Sequence, residues 1–568
     1  MKYKHIFGIL FSVILFCSCS DFLEVPPKDF ISDEDLWKST KTADLYLNDM
    51  YNQLPNIQAS TEQHLDQYSD NSDIGVLRHD GYNYIGQAQI NPDRVPTGYG
   101  LWNWKERYEH IRKCNVFIQS VGESSLADDY KTKRLAEARF LRAYLYHFLW
   151  MAYGGTPIIT VPLNNQDAGS QIEFPRATSD EMFKFITDEL NEIYNDLPVE
   201  VSGSDYGRAT KGAALALKGW CELFHASPQR NPSNEIKRWE DAAKTNKMII
   251  DLNVYGLVDN FTTLFMENNN EESIFARQYG PNKGSSIEGR MGPVKVGNVT
   301  AAWGNFQPTQ DLVDEFSMEN GKAIYEDGSG YDPNNPYVGR EKRFYQTIIY
   351  DNSTWHGELI TTRVGGNNAI NKGYSNDNTH TGYYARKRLN EDKEPTAYHD
   401  GKSYQNYIIY RYAEILLSYA EAENEVNGPT QDVLNAVDAV RTRSGNLPGV
   451  IDTYGTVTKE QMRDIIHRER RVELAFEDKR WWDILRWKIA EKMPDGSAGV
   501  MNRPLRGMEI TENADGSLNY TVIELRNRLF LPKMYLMPIP QSVIDRNSEI
   551  AKQSGGSDNW TNGQNPGY

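Results

Sequence analysis

Lys131–Thr160, KTKRLAEARFLRAYLYHFLWMAYGGTPIIT, is the stretch that decides the fold. Leu135, Ala138, Leu141, Leu145, Phe148 and Ala152 recur at spacings of three and four and mark one apolar helical face. Ala136, Phe140, Ala143, His147 and Met151 mark a second face. A helix that is apolar on two sides is packed on two sides, so it lies inside a stack of helices. Alanines on both faces let its neighbours approach closely. Gly154-Gly155 and then Pro157 end it, because Gly accepts the cap conformation and Pro cannot continue the ladder.

Helical periodicity extends outward from this centre. It is present over 33–54, from Trp104 through Tyr108, Ile111, Cys114 and Ile118 to Val121, over Ser179–Leu197, over Lys211–His225 with Thr210 as cap, and over Trp239–Leu252. Antiparallel pairs with interior Ala resemble tetratricopeptide units, without a strict 34-residue period. Cys114 and Cys221 fall on apolar stripes and read as small core residues. The loop 60–100 is rich in Asp, Asn, Gly and Tyr. From about 271 to 405 the helical pattern thins again, apart from a short helix at Thr309–Phe316. So long an irregular region is usually functional. Helices resume at Tyr407–Val426, Thr430–Thr442 and Lys459–Lys488. The last carries Arg468–Arg471, Glu473 and Glu477–Arg480, which read as paired charges lacing it to its neighbours, with Trp481, Trp482 and Trp487 in the core.

The first residues read as an address. Lys2 and Lys4 precede an apolar run from Ile6 to Phe16, too short to span a bilayer, and then Cys17-Ser18-Cys19. Phe16-Cys17-Ser18-Cys19 resembles a lipobox, which makes 1–18 a lipoprotein signal peptide and Cys19 the lipidated first residue. Residues 19–32, with Pro26 and Pro27, form a tether. The net charge is −17, and loss of Lys2 and Lys4 takes it to −19, which excludes an ordinary nucleic-acid binder. Aromatics make up 12%, with 34 Tyr and 12 Trp, an excess that suits a wet binding surface.

A family resemblance rests on ordered signatures. They are Cys19-Ser-Asp-Phe-Leu-Glu-Val-Pro, Tyr108 to Ile111 to Cys114-Asn115, Glu137-Ala-Arg-Phe-Leu-Arg-Ala-Tyr144, Tyr153-Gly-Gly with Pro157, and Arg208-Ala-Thr-Lys211. Then follow Arg411-Tyr-Ala-Glu-Ile-Leu416, Tyr419-Ala-Glu-Ala422, Glu469-Arg-Arg-Val-Glu473, Arg480-Trp-Trp-Asp483, Pro538-Ile-Pro540 and Gln564-Asn-Pro-Gly-Tyr568. Over nearly its whole length the chain resembles the SusD/RagB family of outer-membrane nutrient-binding lipoproteins. The resemblance implies a mainly α-helical fold on four tetratricopeptide-like pairs: a SusD-like domain over 19–568, with a scaffold at 33–270, an irregular ligand-binding region at 271–405 and C-terminal helices at 406–568. It also implies a non-enzymatic role: capturing a glycan at the outer surface of the outer membrane and delivering it to a SusC-type TonB-dependent transporter. The RagB branch would make the ligand a peptide.

A glycan site needs aromatic faces for C–H stacking beside amides for hydroxyls. The loop segments offer Tyr82, Asn83, Tyr84, Tyr99, Trp102 and Asn103, then Trp303, Asn305, Phe306, Tyr345 and Trp355. Trp104 is in phase with the helix and so belongs to the core. Trp102 and Trp303, in irregular segments, are expected to face outward and share one platform. Two carboxylates could in principle cleave a glycoside, but no nucleophile elbow, HExxH or phosphate loop is present. Asp327-Gly-Ser-Gly-Tyr-Asp332 hints at a calcium loop yet lacks EF-hand spacing, so no cofactor or metal is expected.

Overall fold

A computed structural model of the chain describes residues 33–54, 64–75, 84–95, 102–163, 173–373 and 377–568. The signal, Cys19 and the tether, with Tyr82, Asn83 and Tyr99, lie outside the described residues. The helices that build the scaffold are α1 (Thr40–Tyr51), α2 (Trp104–Glu123), α3 (Asp128–Tyr153), α4 (Ser179–Ile193), α5 (Lys211–Ala226) and α6 (Ile236–Ile250). They are followed by α7 (Tyr412–Asn427), α8 (Gln431–Val440), α9 (Lys459–Glu473) and α10 (Arg480–Arg486).

The central stretch is α3. Every residue from Phe140 to Tyr153 is buried, so both expected faces are packed. Gly154 closes it at φ +74°, and a Cβ on Gly155 would lie 2.0 Å from Ala177 O, so a second strand of chain passes where only Gly fits. Threonines start four helices: Thr178, Thr210, Thr430 and Thr458 accept backbone N–H groups of α4, α5, α8 and α9, and Glu181 and Gln461 complete capping boxes. Consecutive helices pack as α2 on α3, α4 on α5, α6 on α7 and α8 on α9, each pair against the next. These are the four pairs of the expected mainly α-helical scaffold.

The third pair is interrupted. Residues 251–411 intervene between α6 and α7, and strands β2 (Ser273–Arg277) and β4 (Tyr407–Arg411) pair antiparallel across the neck of this insertion. Beyond the neck a second apolar core, with Phe306, Phe344, Trp355, Tyr383 and Tyr384, gathers the insertion together with Phe476 and Met508 and is separate from the main helical core. Several two-stranded ladders cross it, so it is more regular than its composition suggests.

Other expectations are corrected. Tyr407–Arg411 is strand rather than the first turn of a helix, since Tyr-Ile-Ile-Tyr is a short apolar run that fits a buried strand. The helix expected over 459–488 breaks between α9 and α10, where Phe476 and Asp478 take left-handed φ of +64° and +61°. Asp478 is held there by accepting from Leu65 N at 2.6 Å and Tyr407 OH at 3.2 Å. The C-terminal part also contains a β-hairpin, β5 (Leu505–Glu512) with β6 (Leu518–Arg526).

The charges of 468–483 lace the structure as expected. Arg470 bonds Asp483 at 2.9 Å and Arg480 bonds Asp70 at 2.8 Å, all buried. The signatures also meet one another. Arg208 reaches Glu137 at 3.0 Å, Arg142 donates to Asn115 Oδ1 at 2.8 Å, and Asn565 Nδ2 donates to Tyr153 O at 2.9 Å. Cys114 and Cys221 are buried and unbonded. No helix among the described residues is long and apolar enough to cross a membrane.

Candidate functional site

Strand β1 (Ser72–Ile74), in the loop 60–100, pairs antiparallel with β3 (Phe306–Pro308), with Ile74 opposite Phe306. Gly75 N extends the ladder to Asn305 O at 3.3 Å. Two segments expected to share a site are thereby joined. A Cβ on Gly75 would lie 2.5 Å from Gly304 O, so the two chains cross in contact. Gly304 itself has φ +58°, and a Cβ there would lie 2.8 Å from the Tyr384 ring and 3.1 Å from Asp377 O. Only Gly meets both demands, and the residue before it is turned outward.

That residue is Trp303. Its N–H donates to Gly289 O at 2.9 Å, and its side chain is 42% exposed. The indole lies against the exposed His399 imidazole, centroids 5.0 Å apart and tilted by 40°. Burial lowers the His399 pKa below its ordinary value; a bond to the Ala301 backbone opposes this, while nearby Arg290 and Lys393 add to it. With one ring nitrogen engaged by the Ala301 backbone, the imidazole offers a hydroxyl its other nitrogen. The Asp377 backbone carbonyl passes beside Gly304. An indole face with an imidazole neighbour can hold a sugar ring by its C–H face and bind one of its hydroxyls.

Most of the other candidates are placed elsewhere. Trp102 is 1% exposed, packed on Tyr68 at 5.2 Å and Trp481 at 6.3 Å, and its carbonyl accepts from Tyr153 OH. The expectation that it faces outward is wrong: the stretch ahead of α2 turns inward onto α10. Asn103 accepts from Glu106 N at 3.2 Å and so caps α2. Asn305 and Phe306 are buried in the β1–β3 ladder, Phe306 edge-on to His64 and Phe476. Trp355 is fully buried and donates from Nε1 to Tyr398 OH at 2.9 Å. Its hairpin turns at His356-Gly357, and period-2 alternation across Ser353–Trp355 points it inward. Tyr345 is half-buried, its hydroxyl donating to Tyr337 O at 2.7 Å. Tyr84 is half-buried beneath the Arg94 guanidinium. His399 had no sequence signal, because tertiary packing alone brings it to Trp303.

The possible calcium loop is occupied by the protein's own donors. Asp332 accepts from Asn334 N and Asn335 Nδ2, while Lys322 Nζ and Asn320 Nδ2 donate to the carbonyls of Asp327 and Gly328. Among the described residues no group of three His, Cys, Asp or Glu side chains is placed to hold a metal ion.

Comparison with known proteins agrees with this architecture. The model of the SusD family matches residues 271–568, and a model described as starch-binding associating with outer membrane matches 21–219. SusD-like protein P38 of Formosa agariphila is 25% identical over 526 residues, covering 85% of this chain and 92% of that one. A crystal structure of a SusD-like protein from Bacteroides fragilis superposes with a TM-score of 0.76 at 28% identity, over 96% of this chain and all of that one. A second structure from that species, a SusD-like carbohydrate-binding protein, gives 0.75 at 25% identity over 90% and 99%. With one family model spanning more than half of its residues and the helical scaffold matched from end to end, the chain belongs to the SusD family.

Proposed function

We propose that the protein captures a glycan at the cell surface and delivers it to a SusC-type TonB-dependent transporter, without cleaving it. One observation carries the reading: a tryptophan fixed by two glycines and a neighbouring core presents its indole to solvent. Support comes from the family, from the starch-binding description of the model matching 21–219, and from the solved relative described as carbohydrate-binding. Trp303 supplies the stacking face and His399 a hydroxyl partner. Cys19 carries the lipid that holds the protein on the outer membrane, since several acyl chains anchor where one does not.

Truncating a central stacking aromatic typically costs ~2 kcal/mol, roughly a thirtyfold loss in affinity. Trp303→Ala is therefore expected to weaken binding of the glycan at least about tenfold by calorimetry, with little change in melting temperature because the ring is exposed. Normal binding by the folded variant would refute the platform. Cys19→Ala is expected to release the protein from membranes. A mature Cys19→Ala protein still in the membrane fraction would overturn that anchor.

A further inference from the structure

Away from Trp303 lies a second cleft, of about 460 Å³, between α9 and the segment 311–325. That volume is ordinary for a small-ligand site, on the order of 300–1,000 Å³. Its floor is made of charges that satisfy one another. Arg480 grips Asp70 through two bonds of 2.8 and 2.9 Å, and Arg471 bridges Asp70 and Glu315 at 3.0 and 2.7 Å. In all, five arginines and five carboxylates line it, so it carries no net charge. Two of these ten make no ion pair among the described residues: Asp464 on α9 and Arg503, both exposed. Arg503 gives only its Nε, to Ala498 O at 3.0 Å. The cleft thus offers one free carboxylate acceptor and one free guanidinium fork.

At its rim Tyr325 is 67% exposed. It is not loose. Arg468 lies 5.4 Å from the ring centroid and donates to the Tyr325 hydroxyl at 2.6 Å. The loop beneath is tied by Ala323 N to Glu326 at 2.8 Å, Ser329 Oγ to Ile324 O at 3.2 Å and Tyr454 OH to Gly321 O at 3.0 Å. This is the loop that contains Asp327–Asp332, and its internal bonds hold a tyrosine in place. An aromatic ring ordered in advance loses little entropy when a ligand covers it.

We propose that this cleft is a second saccharide site, in which Tyr325 stacks on a sugar face while Asp464 accepts from and Arg503 donates to its hydroxyls. The ligand class is a neutral sugar, because a sulfated or uronic one would meet as many carboxylates as arginines and gain nothing from the field. The inference rests on the glycan-binding reading but names different residues.

The test is retardation of the mature protein in native gels containing soluble starch, laminarin, xylan or mannan, with polygalacturonate and chondroitin sulfate as charged probes. Trp303→Ala is expected to remain retarded by at least one neutral polysaccharide. Adding Tyr325→Ala or Arg503→Ala is expected to lower that remaining affinity about fivefold to tenfold. Two variants guard against one misfolding, which melting temperature checks. Loss of all retardation by Trp303→Ala alone, or a residue of binding indifferent to both additional changes, overturns the second site and leaves the first. Retardation by the charged probes alone overturns the neutral class. A wild-type protein retarded by no polysaccharide overturns both readings.

Discussion

Trp102→Ala is expected to lower the stability of the fold by about 3–5 kcal/mol, the usual cost of truncating a buried Trp, and to leave the glycan affinity of the folded fraction unchanged. The indole fills the space between Tyr68 and Trp481, all three rings are at most 2% exposed, and the Trp102 carbonyl receives the Tyr153 hydroxyl of α3. Removing it leaves a cavity where the loop 60–100, α3 and α10 converge, and close packing resists collapse. Trp102→Phe retains a ring and is expected to recover most of the loss. The measurement is calorimetric unfolding of each variant beside Trp303→Ala. The two tryptophans should give opposite outcomes, one losing stability and the other affinity. A Trp102→Ala protein with wild-type stability and weakened binding would contradict the burial described above.

The second large effect lies where the insertion rejoins the helices. Arg411, fully buried at the end of β4, bonds Glu272, Glu473 and Glu477, each at 2.7 Å. Lys387, from within the insertion, adds bonds to the carbonyls of Glu473 and Ala475 and to Glu477. Arg411→Met is expected to cost about 3–5 kcal/mol, because breaking a buried pair strands a charge. The acid dependence supplies a second readout. Burial by itself would raise the Glu477 carboxyl, but Arg411 and Lys387 overcome it and hold it at about 2; Glu473 is likewise held well below its ordinary value by Arg411, Arg443 and Arg343. Carboxyls depressed in the folded state stabilise fully above their unfolded pKa of ~4.3, and that stability is lost as pH falls through the folded value. The wild-type protein should therefore weaken from about pH 4 toward about pH 2, and Arg411→Met should begin to unfold at a higher pH, where burial wins. An unchanged acid midpoint would show that Arg411 does not govern these carboxyls.

The helices were legible because their cause is local. Period 3.6, threonine caps and the Gly154 stop are written within a few residues of where they act. The signatures were legible as marks, and their reason emerges only in three dimensions, where Glu137 finds Arg208 and Glu473 finds Arg411. The direction in which the candidate aromatics face was half legible. Trp303 faces solvent because of Gly304, a neighbour in sequence, whereas Trp102 faces inward because of Tyr68 and Trp481, which no local pattern connects to it. The same limit hid His399. The hairpin of β5 and β6 did carry a signal, Asp515-Gly516 between alternating stretches, which the helical pattern on either side obscured.

The insertion between α6 and α7 has a consequence for how the protein can change and how fast it can form. Closing a loop costs free energy only as the logarithm of its length, about 0.6 kcal/mol for each doubling. The stretch 251–411 could thus be lengthened or exchanged for another segment at almost no equilibrium penalty, provided the β2–β4 neck and the Arg411 bonds survive. The penalty is in time. Helix α6 emerges from the ribosome long before its partner α7, and its apolar face must wait for a pairing of high sequence separation, the kind that folds slowly. The half-built third pair is therefore where the folding chain is most exposed to aggregation and proteolysis.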